Sequence, residues 1–310
     1  MPEFRDYSYL SSTGKNIIRG LLCVPEGEKR GIVQISHGIG DHSERYRDFM
    51  SFLAGQGYLV AANDHLGHGK SIASEEEKGF FAEEDGWNYV VEDMKLLHDR
   101  MKEEYPDLPY ILFGHSMGSF LSRTYVIRFP EDLDALILSG TGQQSALLVK
   151  AGLFLANREV KKKGPRASGA LLNKIAFGSY LKKIPDAKTA FDWLTRDEEI
   201  VQKYVEDPLC GFVAAASLYR DMMWGIRFIS REENLARMKK DLPVFFVSGD
   251  GDPVGDYGAG VDKAAELFRK AGMQDISIQL YSGGRHEMLN ELNRREVYED
   301  ILSWIREKVH

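Results

Sequence analysis

Two spacings of apolar residues alternate along most of this chain. Short, nearly continuous apolar runs mark buried strands, and apolar residues recurring every three or four positions mark amphipathic helices. "DYSYL" and "NIIRGLLCV" flank the turn-rich "SSTGK" and predict an antiparallel hairpin. "GIVQIS" is a strand closed by His37-Gly38, and "ERYRDFMSFLAGQ" follows as a helix with Tyr46, Phe49, Met50 and Leu53 on one face. "YLVAA" is a second buried strand, ending in Asn63-Asp64. Residues 86–103 read as a helix carrying Val90, Met94, Leu97 and Met101. Then come the strand "YILFG", the helix "FLSRTYVIRF" and the strand "LDALILSG". Strands this apolar, alternating with helices, imply an α/β fold whose mostly parallel sheet is covered on both faces.

The alternation breaks after Gly142. Helical periodicity continues over 143–235 without buried strands. Strand and helix then resume with "LPVFFVSGD", "GVDKAAELFRKAG", "ISIQLYSG" and "REVYEDILSWIREKV". The organisation expected is a core from 1–142 and 236–310 with a helical insertion over 143–235. Open α/β sheets bind ligands beyond the carboxyl ends of their strands, so the insertion is expected there as a cap.

Composition narrows the partners. The chain has 310 residues, 43% hydrophobic and 28% charged, values of a soluble globular protein large enough to bury a sizeable core. Its formal net charge of −7 argues against nucleic acid, whose binders present a basic face. Cys23 and Cys210 show no metal-ligand spacing and read as buried thiols in a reducing cytosol. "MPEFRDYSYLSS" lacks the features of a signal peptide. The apolar tract "SALLVKAGLFLA" contains Lys150 and is too short to span a bilayer. A cytoplasmic protein without a transmembrane segment is expected.

One stretch changes the picture. In "ILFGHSMGS" a buried strand stops at a serine fenced by Gly114 and Gly118. A strand that turns sharply into a helix strains its turn residue, needs small neighbours, and lifts that residue above the sheet. Ser116 is therefore a candidate nucleophile at a helix N-terminus, where backbone amides favour negative charge. A serine hydroxyl needs a base, and the base an orienting acid. In this architecture they follow in the order acid, histidine. "PVFFVSGDGDPVG" offers Asp252 just past a strand, with Asp250 as an alternative, and "ISIQLYSGGRHE" offers His286 after the next strand. The oxyanion donors expected are the backbone N–H of Met117 and that of Ile39 in "SHGIGDHS". This chemistry calls for no cofactor and no metal. His115 reads as structural and Glu287 as a surface or loop carboxylate. His37, His42, His65 and His68 alternate with glycines in loops, without the helical spacing of a metal site.

"SHGIGDHSERY", "NDHLGHGKS" and "GHSMGS" together resemble the monoacylglycerol lipase and lysophospholipase group of α/β-hydrolases, within the serine aminopeptidase-like family. "FDWLTRDEEIVQKYVEDPLCGF" and "RHEMLNE" extend the resemblance over essentially the whole chain. It implies an α/β-hydrolase fold, with nucleophile, acid and base on Ser116, Asp252 and His286 and oxyanion amides on Ile39 and Met117. The sequence departs from the animal monoacylglycerol lipases at Ile39, where alanine is usual; the bulkier side chain would narrow the acyl-binding mouth.

The reading that follows is a serine carboxylic-ester hydrolase acting on monoacylglycerols, lysophospholipids or related acyl esters. Phe154, Phe177, Met223 and Trp224 are the substrate-binding candidates in the insertion. The basic run "VKKKGPR" reads as a solvated loop, or as a patch for transient contact with anionic lipid surfaces. An alternative is a serine aminopeptidase, which needs carboxylates for a free amino group; Asp186, Asp192, Asp197, Glu198 and Glu199 are candidates. A third is a binding protein on the same fold without turnover.

Overall fold

The computed structural model describes residues 2–309. Its strands are β1 (Glu3–Leu10), β2 (Ile17–Val24), β3 (Gly31–Ser36), β4 (Tyr58–Asn63), β5 (Tyr110–His115), β6 (Ala135–Ser139), β7 (Val244–Gly249) and β8 (Ile276–Tyr281). They form one eight-stranded sheet in the order β1-β2-β4-β3-β5-β6-β7-β8. The hairpin β1–β2 is antiparallel and joins β4 antiparallel, with Leu21 opposite Ala62; every pairing from β4 to β8 is parallel.

The helices of the sheet layers are α1 (Arg47–Ala54), α2 (Gly86–Glu104) and α3 (Met117–Arg128). The insertion carries α4 (Ala146–Lys163), α5 (Ala170–Phe177), α6 (Glu198–Glu206), α7 (Ala216–Phe228) and α8 (Glu232–Leu235). The core resumes with α9 (Ala259–Lys270) and α10 (Arg294–Lys308).

Strand side chains alternate between the two faces. From β3 and β5, Val33, Ile35, Ile111 and Phe113 pack with Phe49, Met50 and Leu53 of α1 and with Tyr298, Ile301 and Ile305 of α10. Ile32, Tyr110 and Leu112 point the other way, into the cluster holding Val90, Met94 and Leu97 of α2, Leu121 and Tyr125 of α3, and Phe268 of α9. Residues of β3 to β7 are buried throughout, as strands covered on both faces require.

Between β6 and β7 the chain forms helices joined by turns and irregular stretches, with a Ser168–Ala215 bridge in place of any strand. This segment leaves from the carboxyl end of β6 and packs through α7 against α2 and α3. The run Lys161–Lys163 is no loop: it forms the last turn of α4, where cations complement the exposed carbonyls. Among the described residues no helix is long and apolar enough to cross a membrane.

Candidate active site

Ser116 lies between β5 and α3 with φ 53° and ψ −121°, a strained conformation for a residue other than glycine. Its N–H donates to Ser139 O at 2.9 Å, anchoring the turn to β6. The flanking glycines are steric necessities. A Cβ on Gly118 would strike Ser36 O of β3, and one on Gly114 would strike Ser122 Oγ of α3. Small residues therefore let the helix lie against two strand ends while Ser116 is held up between them.

Asp252 and His286 reach the same end of the sheet from the loops after β7 and β8. Both are buried, at 0% and 1% exposure. His286 Nδ1 lies 3.0 Å from each Asp252 oxygen. A carboxylate there fixes the Nδ1–H tautomer and leaves Nε2 as the basic nitrogen. Asp252 Oδ1 also accepts from Val254 N at 2.8 Å. Asp250, the alternative acid, instead accepts from Gly283 N at 2.6 Å and is exposed.

Ser116 and His286 share the lining of a cavity of about 330 Å³ with Gly38, Ile39, Phe177 and Trp193. On its other side Ser116, with Ile39 and Met117, lines a larger cavity of about 500 Å³. That second wall is mostly apolar: Phe120, Val149, Leu155, Leu172, Met223 and Ile226 contribute to it. Ser116 thus sits where two chambers meet. Among the described residues, neither the Ile39 N–H nor the Met117 N–H donates to a protein acceptor. Such amides are available to an anionic oxygen.

Of the four residues expected to meet substrate, Phe177 lines both chambers and Met223 the larger. Phe154 and Trp224 do not. Phe154 is 65% exposed; Trp224 stacks on Phe228 at 5.3 Å and lines a shallow outer depression with Arg227. Helical phase explains the difference. On α4 the cavity takes Leu148, Val149, Gly152 and Leu155, and on α7 Met222, Met223 and Ile226. Phe154 is two residues from Gly152, and Trp224 two from Met222, which turns each by roughly 200°.

The loop histidines serve the backbone. His37 Nδ1–H donates to Gly38 O at 2.7 Å, while Nε2 accepts from His65 N at 3.0 Å. Burial lowers the pKa of His37 to about 4 and that of His68 to about 3, so both stay neutral. His115, buried against the His286 ring at 4.7 Å, is likewise lowered to about 4, first by burial and then by His286. His42 joins the insertion, its Nε2 2.9 Å from Asp207 Oδ2. Cys210 completes a group whose metal-capable atoms lie within 4.8 Å of one another. The 165 positions between His42 and Asp207 hid this contact from the sequence.

Glu287 lies in a loop, as expected, but not at the surface. It is 4% exposed and pairs with Arg45 through two bonds, of 2.7 and 2.6 Å. Burial alone would raise its pKa, but the Arg45 guanidinium holds it below the usual carboxylate range. The insertion also grips this loop: Glu287 N donates to Leu194 O at 2.7 Å. The carboxylates proposed for an amino-group site are elsewhere. Asp186, Asp192 and Glu198 border a separate pocket with Arg285, and Asp197 caps α6.

Residues 27–293 match the family described as serine aminopeptidase, S33. The chain is 28% identical over 303 residues to a monoacylglycerol lipase of Mycolicibacterium smegmatis, covering 97% of this chain and 96% of that one. It is 27% identical to the human monoglyceride lipase, covering 92% and 85%. Among solved structures, a thermostable carboxyl esterase from Bacillus coagulans in complex with glycerol superposes with a TM-score of 0.92 at 32% identity, over 99% of each chain. The chain belongs to the serine aminopeptidase, S33 family, with an α/β-hydrolase fold and, among its relatives, a monoacylglycerol lipase and a carboxyl esterase.

Proposed function

We propose that this protein hydrolyses monoacylglycerols, lysophospholipids or related acyl esters through Ser116, His286 and Asp252. Ser116 Oγ attacks the ester carbonyl while His286 Nε2 takes its proton. Asp252 orients the ring and stabilises the imidazolium. The Ile39 and Met117 amides receive the developing oxyanion. The proton passes from His286 to the leaving alcohol, and water, activated by the same imidazole, resolves the acyl-enzyme.

The observation that carries this reading is that His286, whose Nδ1 lies 3.0 Å from Asp252 Oδ1, lines the same cavity as Ser116. The two chambers support the substrate class. An apolar space of about 500 Å³ suits an acyl chain, and the smaller one beside His286 suits a compact alcohol. The insertion, residues 143–235, acts as the cap that supplies most of the acyl wall. Leu147, Leu148, Phe154, Leu171 and Ile175 are exposed on α4 and α5. Leu148 and Ile175 also border the large chamber, so this face offers a landing surface on lipid beside its mouth. Both cysteines are free and buried, which supports a reducing compartment.

Aminopeptidase chemistry finds less support. The carboxylates that border the smaller chamber, Asp41 and Glu287, are both engaged by Arg45 and do not offer a free acid to an amine. The test is hydrolysis of a 4-nitrophenyl octanoate and of a proline anilide by the wild type and Ser116→Ala. Ester turnover lost in the variant, with little anilide cleavage in either, supports the proposal. Ester cleavage at the wild-type rate by Ser116→Ala refutes it.

A further inference from the structure

Two loops must meet correctly for the chemistry above. One carries the Ile39 amide and the other His286. The first also carries Asp41, and Glu287 directly follows His286. Arg45 lies between these acids. Its Nη1 donates to Asp41 Oδ1 at 2.9 Å and to Glu287 Oε1 at 2.7 Å, while Nη2 donates to Glu287 Oε2 at 2.6 Å. The side chains of Arg45, Asp41 and Glu287 are 12%, 4% and 5% exposed.

Each acid extends the link into its own loop. Asp41 Oδ2 accepts from Gly38 N at 3.3 Å and from Tyr46 Oη at 2.7 Å, and Oδ1 accepts from His42 N at 2.8 Å. The loop backbone is thus held on both sides of Ile39. Glu287 Oε2 accepts from Asn290 Nδ2 at 2.9 Å, bracing the turn after His286. Tyr204 of the insertion lies over the Arg45 guanidinium at 4.7 Å and donates its hydroxyl to Gly40 O at 2.8 Å.

A buried charge cluster is a poor way to gain stability alone, since apolar packing of the same volume often does as well. A guanidinium fork does something apolar packing cannot: it fixes the distance and angle between the groups it bridges. We propose that Arg45 is a positioning residue, which by bridging Asp41 and Glu287 sets the Ile39 amide relative to the His286 imidazole. The inference rests on the hydrolase reading above. A displacement of the order of 1 Å between such groups costs about 10²-fold in rate.

The experiment compares wild type, Arg45→Lys and the triple variant Asp41→Asn, Arg45→Met, Glu287→Gln. The triple removes all the charges together, so no buried carboxylate is left unpaired. Measurements are kcat and KM for 4-nitrophenyl acetate and octanoate, normalised to sites titrated by a fluorophosphonate, together with Tm. The expected result is a kcat lower by about 10²-fold in the triple variant and about tenfold in Arg45→Lys, with KM within roughly threefold of wild type. A lysine keeps the charge but cannot form the fork, so a purely structural role would leave kcat per titrated site unchanged in both variants. That outcome, or a raised KM at constant kcat, overturns the proposal. A wild type inert to both esters and to the label removes the hydrolase reading and this proposal with it. An active wild type with unaffected variants removes the proposal alone.

Discussion

The sheet core and the helical insertion obey different packing rules. In the core, β3 to β7 are buried residue after residue, and each helix has one face against the sheet. In the insertion, α4 buries only Val149 and Ala156 among its residues and leaves Leu147 and Phe154 at 79% and 65% exposure. The core brings Ser116, Asp252 and His286 to one end of the sheet, Asp252 and His286 in contact. The insertion wraps an apolar space above it and leaves apolar residues in solvent. If the proposed function holds, reaction geometry and substrate selection are carried by separate layers, so they should respond separately to mutation.

The largest expected effect tests the core layer. Asp252→Asn should lower kcat on 4-nitrophenyl octanoate by roughly 10⁴ by disturbing the His286 tautomer, with Tm little changed. A variant within tenfold of wild type would place the acid elsewhere. Next, Phe113→Ala beneath the elbow should destabilise the fold by about 3–5 kcal/mol in urea unfolding. Phe154→Ala on the outer face of α4 should stay within about 0.5 kcal/mol. Equal losses at the two sites would erase the contrast.

Acid comes third. His37 and His115 are held neutral in the fold, their pKa lowered by burial to about 4 from the ordinary histidine value of about 6.5. Between those values the unfolded chain binds protons that the folded chain refuses. Their contribution is therefore fully present above about pH 6.5 and is lost as the pH falls toward about 4. The loss is about 1.4 kcal/mol per pH unit for each group within that window. Tm measured from pH 7 to pH 4 should fall accordingly, and His37→Asn should flatten the slope. A flat Tm profile in the wild type would contradict the burial argument. The smallest effect probes the insertion. Met223→Trp, on the wall of the large chamber, should reduce kcat/KM for a dodecanoyl ester about tenfold relative to a butanoyl ester. An unchanged chain-length ratio would detach that chamber from acyl binding.

Legibility follows the same division. The elbow was readable because its requirement is local: "GHSMG" places glycine where α3 meets the ends of β3 and β5, and no side chain fits there. Asp252 and His286 were readable because apolar runs locate strand ends, and parallel strands put those ends on one side. That Phe154 and Trp224 lie off both chambers is not legible in the sequence, because periodicity gives a helix its apolar residues without saying which of two apolar faces turns inward on a half-covered segment.

The sequence by itself determined the succession of strands and helices along the chain, the glycine-flanked serine turn and the candidates to serve it. These depend on backbone sterics and spacing over a few residues. Only the tertiary structure decided that Asp252 rather than Asp250 meets His286, that Glu287 is buried on Arg45, and that His42 bonds Asp207. Arg45 and Glu287 stand 242 positions apart, and charge pairing carries no periodicity. Their meeting is a consequence of how loops and insertion close over one end of the sheet.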